Sequence, residues 1–218
     1  PPLPRIAHRT RIKICGIRDP ATAMAAAEAG ADAIGLVFHP DSPRAVDAAI
    51  AGEVARALPP FVASVGLFVN HEATVIRDVL ARVPLAMLQF HGDEPAAFCD
   101  QFGLPWIRAI RVGPGVDLVE CESRFARAAA LLLDAQVAGR FGGTGTAFDW
   151  TLVPPGLAGR VVLSGGLDAA NVGRAIGALR PWAVDVSSGV ESTRGVKDTA
   201  RIVQFVRSVR DADARGGD

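Results

Sequence analysis

Residues 11–30, RIKICGIRDPATAMAAAEAG, place a short strand directly before a helix. The strand is predicted over residues 11–15 and ends at Gly16, a typical turn residue. Asp19 is a favourable helix N-cap, Pro20 suits the first helical position, and the alanine-rich run that follows ends at a glycine. This stretch is therefore predicted to be one strand followed by one helix.

The same order of strand and helix repeats along the chain. Further apolar strands are predicted at residues 33–38, 61–68, 85–90, 106–111, 129–134, 160–164 and 183–187. Helices are predicted at residues 47–58, 72–83, 94–102, 113–122 and 148–152, from Asp168 onward, and at 197–209. Strands that are apolar almost throughout favour a parallel sheet covered on both faces. Eight units in 218 residues leave about 27 residues each, which predicts an α/β fold, a single-domain (β/α)8 TIM barrel with eight parallel strands.

The predicted domain organisation is simple. The barrel is assigned to residues 11–209, preceded by a flexible N-terminal extension at residues 1–10. Residues 210–218, with their Asp, Gly and Arg content, are expected to form a frayed tail. A chain of this length can bury a full hydrophobic core in one domain without metals or disulfides.

Charge and cysteine content exclude several classes of protein. The 23 basic and 23 acidic side chains sum to zero, which argues against a nucleic-acid partner. The three cysteines have neither CxxC spacing nor a histidine partner, so no zinc site or disulfide framework is indicated, and a reducing cytoplasm is expected. No stretch reaches the roughly 18 apolar residues of a membrane span, so no membrane partner is expected.

In such a barrel the functional residues follow the strands at their C-terminal ends. Alternation along the first strand places Lys13 and Cys15 on the inward face. The Cys15 thiol is either a general base or nucleophile, or a buried structural cysteine. Asp134 directly follows the sixth strand and is either a helix cap or a carboxylate of the site.

Two further strand ends carry small residues suited to an anion. Gly165 and Gly166 follow the seventh strand, and Ser188 and Gly189 follow the eighth. Small residues let backbone N–H groups approach a ligand, and the loops after these two strands are the usual phosphate site of the fold. The two turns together therefore predict a phosphate cradle.

The loops after strands two and four add polar candidates. Arg44 suits bidentate binding of a carboxylate, although a loop arginine also serves as a solvated charge. Gln89 and His91 share one face at the end of strand four and are within reach of the pocket, although His91 also suits a role in bracing the next turn.

Taken in order, these motifs resemble phosphoribosylanthranilate isomerase, the single-domain (β/α)8 enzyme of tryptophan biosynthesis. The resemblance rests on KICGI at residues 13–17, GLVF at 35–38, SPR at 42–44, QFHG at 89–92, LLD at 132–134, GGTG at 142–145, FDW at 148–150, SGGL at 164–167, DVSSGVE at 185–191 and GVKD at 195–198. It implies an Amadori rearrangement of N-(5-phosphoribosyl)anthranilate without metal or cofactor. It also implies a phosphosugar-anthranilate substrate and a monomer or homodimer.

The resemblance assigns a role to each candidate. Asp134 matches the general acid that protonates the furanose ring oxygen, and Cys15 matches the general base that takes the C2 proton. The thiol pKa of Cys15 is expected below its ordinary value of about 8.5. Arg44 would hold the anthranilate carboxylate, and Gln89 is assigned to substrate binding. The phosphate would be held by Gly165, Gly166, Ser188 and Gly189.

Lys13 and Asp185 are predicted to form a buried ion pair. If the barrel closes, the two residues lie on neighbouring strands, and we expect the lysine to lower the thiol pKa of Cys15.

Two other functions are alternatives to the one that the resemblance implies. They are another phosphosugar enzyme, such as the histidine-pathway isomerase or ribulose-phosphate epimerase, and a catalytically silent phosphosugar-binding barrel. Cys15 argues against the first, and Cys15 together with Asp134 argues against the second. Ala45 departs from the family pattern, which commonly has an aromatic residue there.

Overall fold

The computed structural model describes residues 9–135 and 150–216. Residues 1–8, which make up most of the predicted N-terminal extension, lie outside the described residues, as do residues 217–218. The same holds for residues 136–149, which include the GGTG motif. In the described part, no helix is long and apolar enough to cross a membrane.

Eight parallel strands close into a barrel, which confirms the predicted (β/α)8 fold. They are β1 (Arg11–Cys15), β2 (Ala33–Val37), β3 (Ala63–Phe68), β4 (Met87–Phe90), β5 (Trp106–Val112), β6 (Ala130–Ala135), β7 (Val161–Leu163) and β8 (Ala183–Val186). Each strand pairs with the next along the chain, and β8 pairs with β1 in parallel register. Parallel neighbours require crossover connections, and most of these contain helices.

The α-helices lie between the strands and after the last of them. They are α1 (Pro20–Ala29), α2 (Ala48–Ala57), α3 (Ala73–Arg82), α4 (Ala96–Cys99), α5 (Leu118–Arg124), α6 (Val172–Leu179) and α7 (Thr199–Arg215). The start of α1 agrees with the sequence, because the Asp19 side chain accepts a hydrogen bond from the Thr22 N–H. Gly30 ends the helix in the left-handed conformation, at φ 110°.

Two predicted helices differ from those observed. Between β6 and β7 the described residues form only 3-10 turns at Trp150–Leu152 and Pro155–Arg160, interrupted at Pro154. After β7, Asp168 does not begin a helix. Its carboxylate accepts from the N–H groups of Ala170 and Asn171, which makes a turn and delays α6 to Val172.

A short antiparallel hairpin follows β8 and was not predicted. Its strands are β9 (Glu191–Thr193) and β10 (Val196–Lys197), and α7 therefore begins at Thr199 rather than at residue 197. Gly195 makes the turn at φ +85°, where a Cβ would lie 2.6 Å from the Pro43 carbonyl oxygen. The hairpin thus packs against the loop after β2.

The predicted frayed tail is wrong for residues 210–215, which continue α7. Alanine and arginine are strong helix formers, and Ala212 is buried. The Asp213 carboxylate accepts hydrogen bonds from Thr10 N at 2.8 Å and from Thr10 Oγ1 at 2.7 Å. Thr10, the last residue of the predicted flexible extension, is therefore buried and fixed to the end of α7.

Alternation along the strands separates two cores. Outward side chains such as Ile12 and Ile14 pack beneath the helices. A smaller inward cluster contains Met87, Ile107, Ala109, Ala130, Leu132, Val162 and Ala183. Several members lie two residues before a polar inward residue, as Leu132 does before Asp134. The apolar cluster consequently forms a closed floor beneath the polar C-terminal ends of the strands.

We predict that Asp213→Ala destabilises the barrel without lowering turnover. The buried Thr10 N–H and hydroxyl would lose their acceptor, which costs about 1 to 3 kcal/mol of unfolding free energy. Urea denaturation measures the loss, with Asp211→Ala on the exposed face of α7 as the control, expected within about 0.5 kcal/mol of the parent. Equal stability of the two variants would contradict the anchoring role of Asp213.

Candidate active site

The C-terminal ends of the strands surround a cavity. The predicted residues Cys15, Arg44, Gln89 and Asp134 all line it. The other polar side chains on its wall are His39, Ser42, His91, Ser164, Asp185 and Ser187. Residues from β1, β4, β6, β7 and β8 thus meet in one place, as the barrel geometry predicts.

The predicted ion pair beneath the site is present. Lys13 Nζ lies 2.8 Å from Asp185 Oδ1, and each side chain is only 6% exposed. The two residues are register partners across the β1–β8 seam. Ser164 Oγ donates to the other carboxylate oxygen at 3.0 Å, so both oxygens are satisfied. Burial lowers the pKa of Lys13, but Asp185 and Cys15 together outweigh burial, and the net shift is upward.

The expected lowering of the Cys15 thiol pKa is wrong for this structure. Burial raises the pKa of the thiol and outweighs the opposing charges of Lys13 and Lys197, while Asp185 adds to the increase. The side chains of Cys15 and Lys13 both pack against Gly35. A Cβ on residue 35 would lie 2.7 Å from the Cys15 sulfur and 3.0 Å from Lys13 Nζ, so only glycine lets both side chains approach the β2 backbone this closely.

Arg44 is held by a carboxylate that the sequence analysis did not identify. Its Nε and Nη2 donate to the two oxygens of Glu191 at 2.6 and 2.9 Å. Lys197 Nζ donates to the same carboxylate at 2.7 Å, and the Gly195 N–H donates at 3.1 Å. Burial raises the pKa of Glu191, but the bonds from Arg44 and Lys197 lower it to about 2. Glu191 is therefore a carboxylate that organises two cations.

Lys197 connects this network to the thiol. Its Nζ donates to the Ser187 carbonyl at 3.0 Å, and Ser187 Oγ donates to the Cys15 carbonyl at 3.1 Å. Burial lowers the pKa of Lys197, and Glu191 opposes that shift. Glu191 and Lys197 belong to quoted motifs, but nothing in their spacing indicated that they face Arg44 and Cys15. The hairpin that brings them there was not predicted.

Asp134 is 4% exposed and faces the cavity from the end of β6. Its carboxylate Oδ2 lies 3.4 Å from His91 Nε2. The other ring nitrogen of His91, Nδ1, is 3.2 Å from Gln89 Nε2. Gln89 is 1% exposed, and its Oε1 has no hydrogen-bond partner among the residues described. The three side chains form a continuous row along one wall.

The predicted phosphate turns adjoin the main cavity. A smaller cavity shares Asp134 and Ser164 with it and extends to Gly165, Gly166 and Ser188. Gly189 lines neither cavity. A Cβ on Gly189 would lie 2.0 Å from the Leu167 carbonyl oxygen, so this glycine allows the two turns to pack together, and its contact with a phosphate stays a prediction.

Formal charges favour an anion on the side of the cavity where Arg44 lies. Lys13 and Asp185 cancel, whereas Arg44 and Lys197 share the single charge of Glu191. One positive charge remains there, while Asp134 supplies a carboxyl group to the same cavity. Within the described ranges, no group of three or more His, Cys, Asp or Glu side chains is arranged to hold a metal ion.

Comparison with known proteins agrees with this geometry. Residues 12–208 match the family model described as N-(5'phosphoribosyl)anthranilate (PRA) isomerase. A protein from Ralstonia pickettii (strain 12J), named N-(5'-phosphoribosyl)anthranilate isomerase, is 56% identical over 226 residues. That alignment covers 96% of this chain and 97% of the relative.

Two solved structures extend the similarity to three dimensions. One is a phosphoribosyl anthranilate isomerase in complex with reduced 1-(o-carboxyphenylamino)-1-deoxyribulose 5-phosphate. Its TM-score is 0.81 and its sequence identity is 38%, and the alignment covers 93% of this chain and 99% of that one. The other shows monomers of the dimeric isomerase from Thermotoga maritima, with a TM-score of 0.82, 36% identity and the same coverage. With matching sequence and fold, the chain belongs to the N-(5'-phosphoribosyl)anthranilate isomerase family.

Proposed function

We propose that this protein converts N-(5-phosphoribosyl)anthranilate to 1-(2-carboxyphenylamino)-1-deoxyribulose 5-phosphate in L-tryptophan biosynthesis, with Asp134 as general acid and Cys15 as general base. The observation that carries the assignment of roles is that both side chains face one cavity next to small-residue turns suited to a phosphate. The reaction needs one proton delivered and one removed at neighbouring atoms.

The acid step opens the ribose ring. Asp134 gives its proton to the furanose ring oxygen, the C1–O bond breaks with its electron pair on oxygen, and a Schiff base forms between C1 and the anthranilate nitrogen. Asp134 is buried at the end of β6 beside His91 and faces the cavity. Such a position keeps the transferred proton away from bulk water.

The base step follows at the adjacent carbon. Cys15, as the thiolate, takes the proton from C2, and the resulting enolamine tautomerises to the ketone. Lys13 and Lys197 are the two cations that favour the thiolate against burial. Their charges are partly neutralised by Asp185 and Glu191, so the thiol pKa depends on both ion pairs.

Substrate anions are assigned to opposite sides of the cavity. Glu191 occupies Nε and Nη2 of Arg44, which leaves Nη1 as the donor that we assign to the anthranilate carboxylate. The backbone of Gly165, Gly166 and Ser188 is assigned to the phosphate, with Gly189 allowing those turns to meet. Oε1 of Gln89 is assigned to a ribose hydroxyl, since it is a buried acceptor without a described partner.

Location and assembly follow as part of the same proposal. We place the protein in the cytoplasm because Cys15, Cys99 and Cys121 are all free thiols, as expected for a reducing compartment. A monomer or a homodimer is proposed, and one of the similar solved structures derives from a dimeric isomerase.

We predict that Cys15→Ala and Asp134→Asn each lower kcat by about a thousandfold or more, because each removes one of the two proton-transfer groups. The measurement is the loss of anthranilate fluorescence as substrate is consumed. Cys121→Ala on α5 and Asp78→Asn on α3 are the matched controls, expected near parent turnover. Parent-like kcat in either site variant would contradict that residue's assigned role.

The pH dependence of the thiolate tests the protonated state of Cys15. Because burial raises the pKa of the Cys15 thiol, little thiolate exists at pH 7, and its fraction grows about tenfold for each pH unit below that pKa. We therefore predict that the ultraviolet absorbance of the thiolate, taken as the difference between the parent and Cys15→Ala, appears only above about pH 9. A full thiolate signal at pH 7 would contradict a buried thiol of raised pKa.

Glu191→Gln tests the support of Arg44. A neutral amide offers one acceptor oxygen instead of two and balances neither cation, so Arg44 loses its fixed orientation. We predict that KM rises about tenfold or more, in line with the loss of a charge-assisted hydrogen bond. The control is Glu120→Gln, an exposed residue on α5. An unchanged KM for Glu191→Gln would contradict the assignment of Arg44 to the anthranilate carboxylate.

A further inference from the structure

The imidazole of His91 has no role in the turn that follows β4. The His91 backbone N–H donates to the Phe68 carbonyl at 2.9 Å, and its carbonyl accepts from Arg111 Nη2 at 3.3 Å. Both bonds use backbone atoms of residue 91 and survive replacement of its side chain. The ring itself is directed into the cavity, where it is 11% exposed.

The two ring nitrogens have different neighbours. Gln89 Nε2 lies 3.2 Å from His91 Nδ1, and an amide nitrogen only donates, so Nδ1 is the acceptor. In neutral His91 the proton then resides on Nε2. That atom is buried and makes no hydrogen bond of good geometry with any residue described, while Asp134 Oδ2 stands 3.4 Å away. A buried N–H needs an acceptor, and this carboxyl oxygen is in position to become one.

We infer that Gln89 and His91 are positioning residues for the general acid: Gln89 holds His91 as the Nε2–H tautomer, and that N–H donates to Oδ2 as Asp134 releases its proton from Oδ1. The inference rests on the proposed function, because His91 acts only through Asp134. The Oδ1–H bond breaks, a new O–H bond forms on the furanose ring oxygen, and the negative charge left on Asp134 is shared with Oδ2. His91 keeps its proton throughout.

The hydrogen bond from His91 Nε2–H to Asp134 would stabilise the transition state more than the ground state. A neutral carboxyl oxygen is a weaker acceptor than a carboxylate, so the Nε2–H bond strengthens as the proton leaves. A spacing of 3.4 Å in the resting site is compatible with this, since catalytic hydrogen bonds often tighten only when substrate is bound. Removing the donor should thus lower kcat and leave KM nearly unchanged.

Other ionisable groups line the same cavity and remain in every variant proposed. Cys15 comes from β1, His39 and Arg44 from the loop after β2, and Asp185 from β8, while Arg111 of β5 contacts the His91 carbonyl. A loss of kcat that accompanies substitution of His91 alone therefore reports on the His91 side chain rather than on these groups.

His91→Asn is the most selective variant. The Asn side chain keeps an acceptor close to the position of Nδ1, within reach of Gln89, but it is too short to donate to Asp134. We expect kcat to fall about tenfold to a hundredfold and KM to stay within about threefold. His91→Gln, whose longer amide can reach Oδ2, should recover part of the loss.

The matched control is His71→Asn. His71 lies in the loop after β3, accepts from the Val69 N–H and packs against the Phe68 ring, away from the cavity wall. Its kcat and KM should match those of the parent. Gln89→Leu, which no longer selects the His91 tautomer, should lower kcat in the same direction as His91→Asn.

A double-mutant cycle tests whether His91 acts through Asp134. If it does, His91→Asn costs far less in the Asp134→Asn background than in the parent. An equal cost in both backgrounds, or parent-like kcat in folded His91→Asn, would overturn the inference. Absence of isomerase activity in the parent would instead refute the proposed function. Circular dichroism confirms folding, and if His91→Asn does not fold, the comparison of His91→Gln with Gln89→Leu decides by the same criteria.

Discussion

Pairing of β1 with β8 is the constraint on which the site depends, because it closes the barrel and places Lys13 beside Asp185. Both side chains are almost fully buried, so each charge is tolerated only through the other and through Ser164. Breaking such a pair by removing one partner typically costs about 3 to 5 kcal/mol. The same lysine also approaches the thiol of Cys15, so closure of the barrel fixes a charge beside the residue that we propose as the base.

A second ionic network completes the surroundings of the thiol. Glu191 binds Arg44 and Lys197 together, and Lys197 reaches the backbone beside Cys15 through Ser187. A chain with no net charge thus presents local positive charge where an anionic substrate would bind. The charges are arranged by tertiary contacts between the loop after β2 and the hairpin after β8, which lie about 150 residues apart in sequence.

Local rules predicted most elements, and their failures have identifiable causes. The α1 boundaries agree with Asp19 and Gly30 because capping depends on neighbouring backbone groups. Residues 210–215 appeared frayed because their composition is polar, yet α7 continues since Asp213 binds the distant Thr10. The β9–β10 hairpin escaped prediction because its strands are only three and two residues long and depend on packing against the loop after β2.

By itself, the sequence determined the barrel, the family resemblance and most of the residues that meet in the cavity, because strand alternation and the order of strand and helix are local properties. Tertiary structure alone decided the protonation preference of Cys15, the engagement of Arg44 by Glu191 and the contact of His91 with Asp134. Each depends on burial and on charges brought together from distant segments, and the electrostatic effect of a charge is set by its distance and dielectric surroundings in space rather than by its separation along the chain.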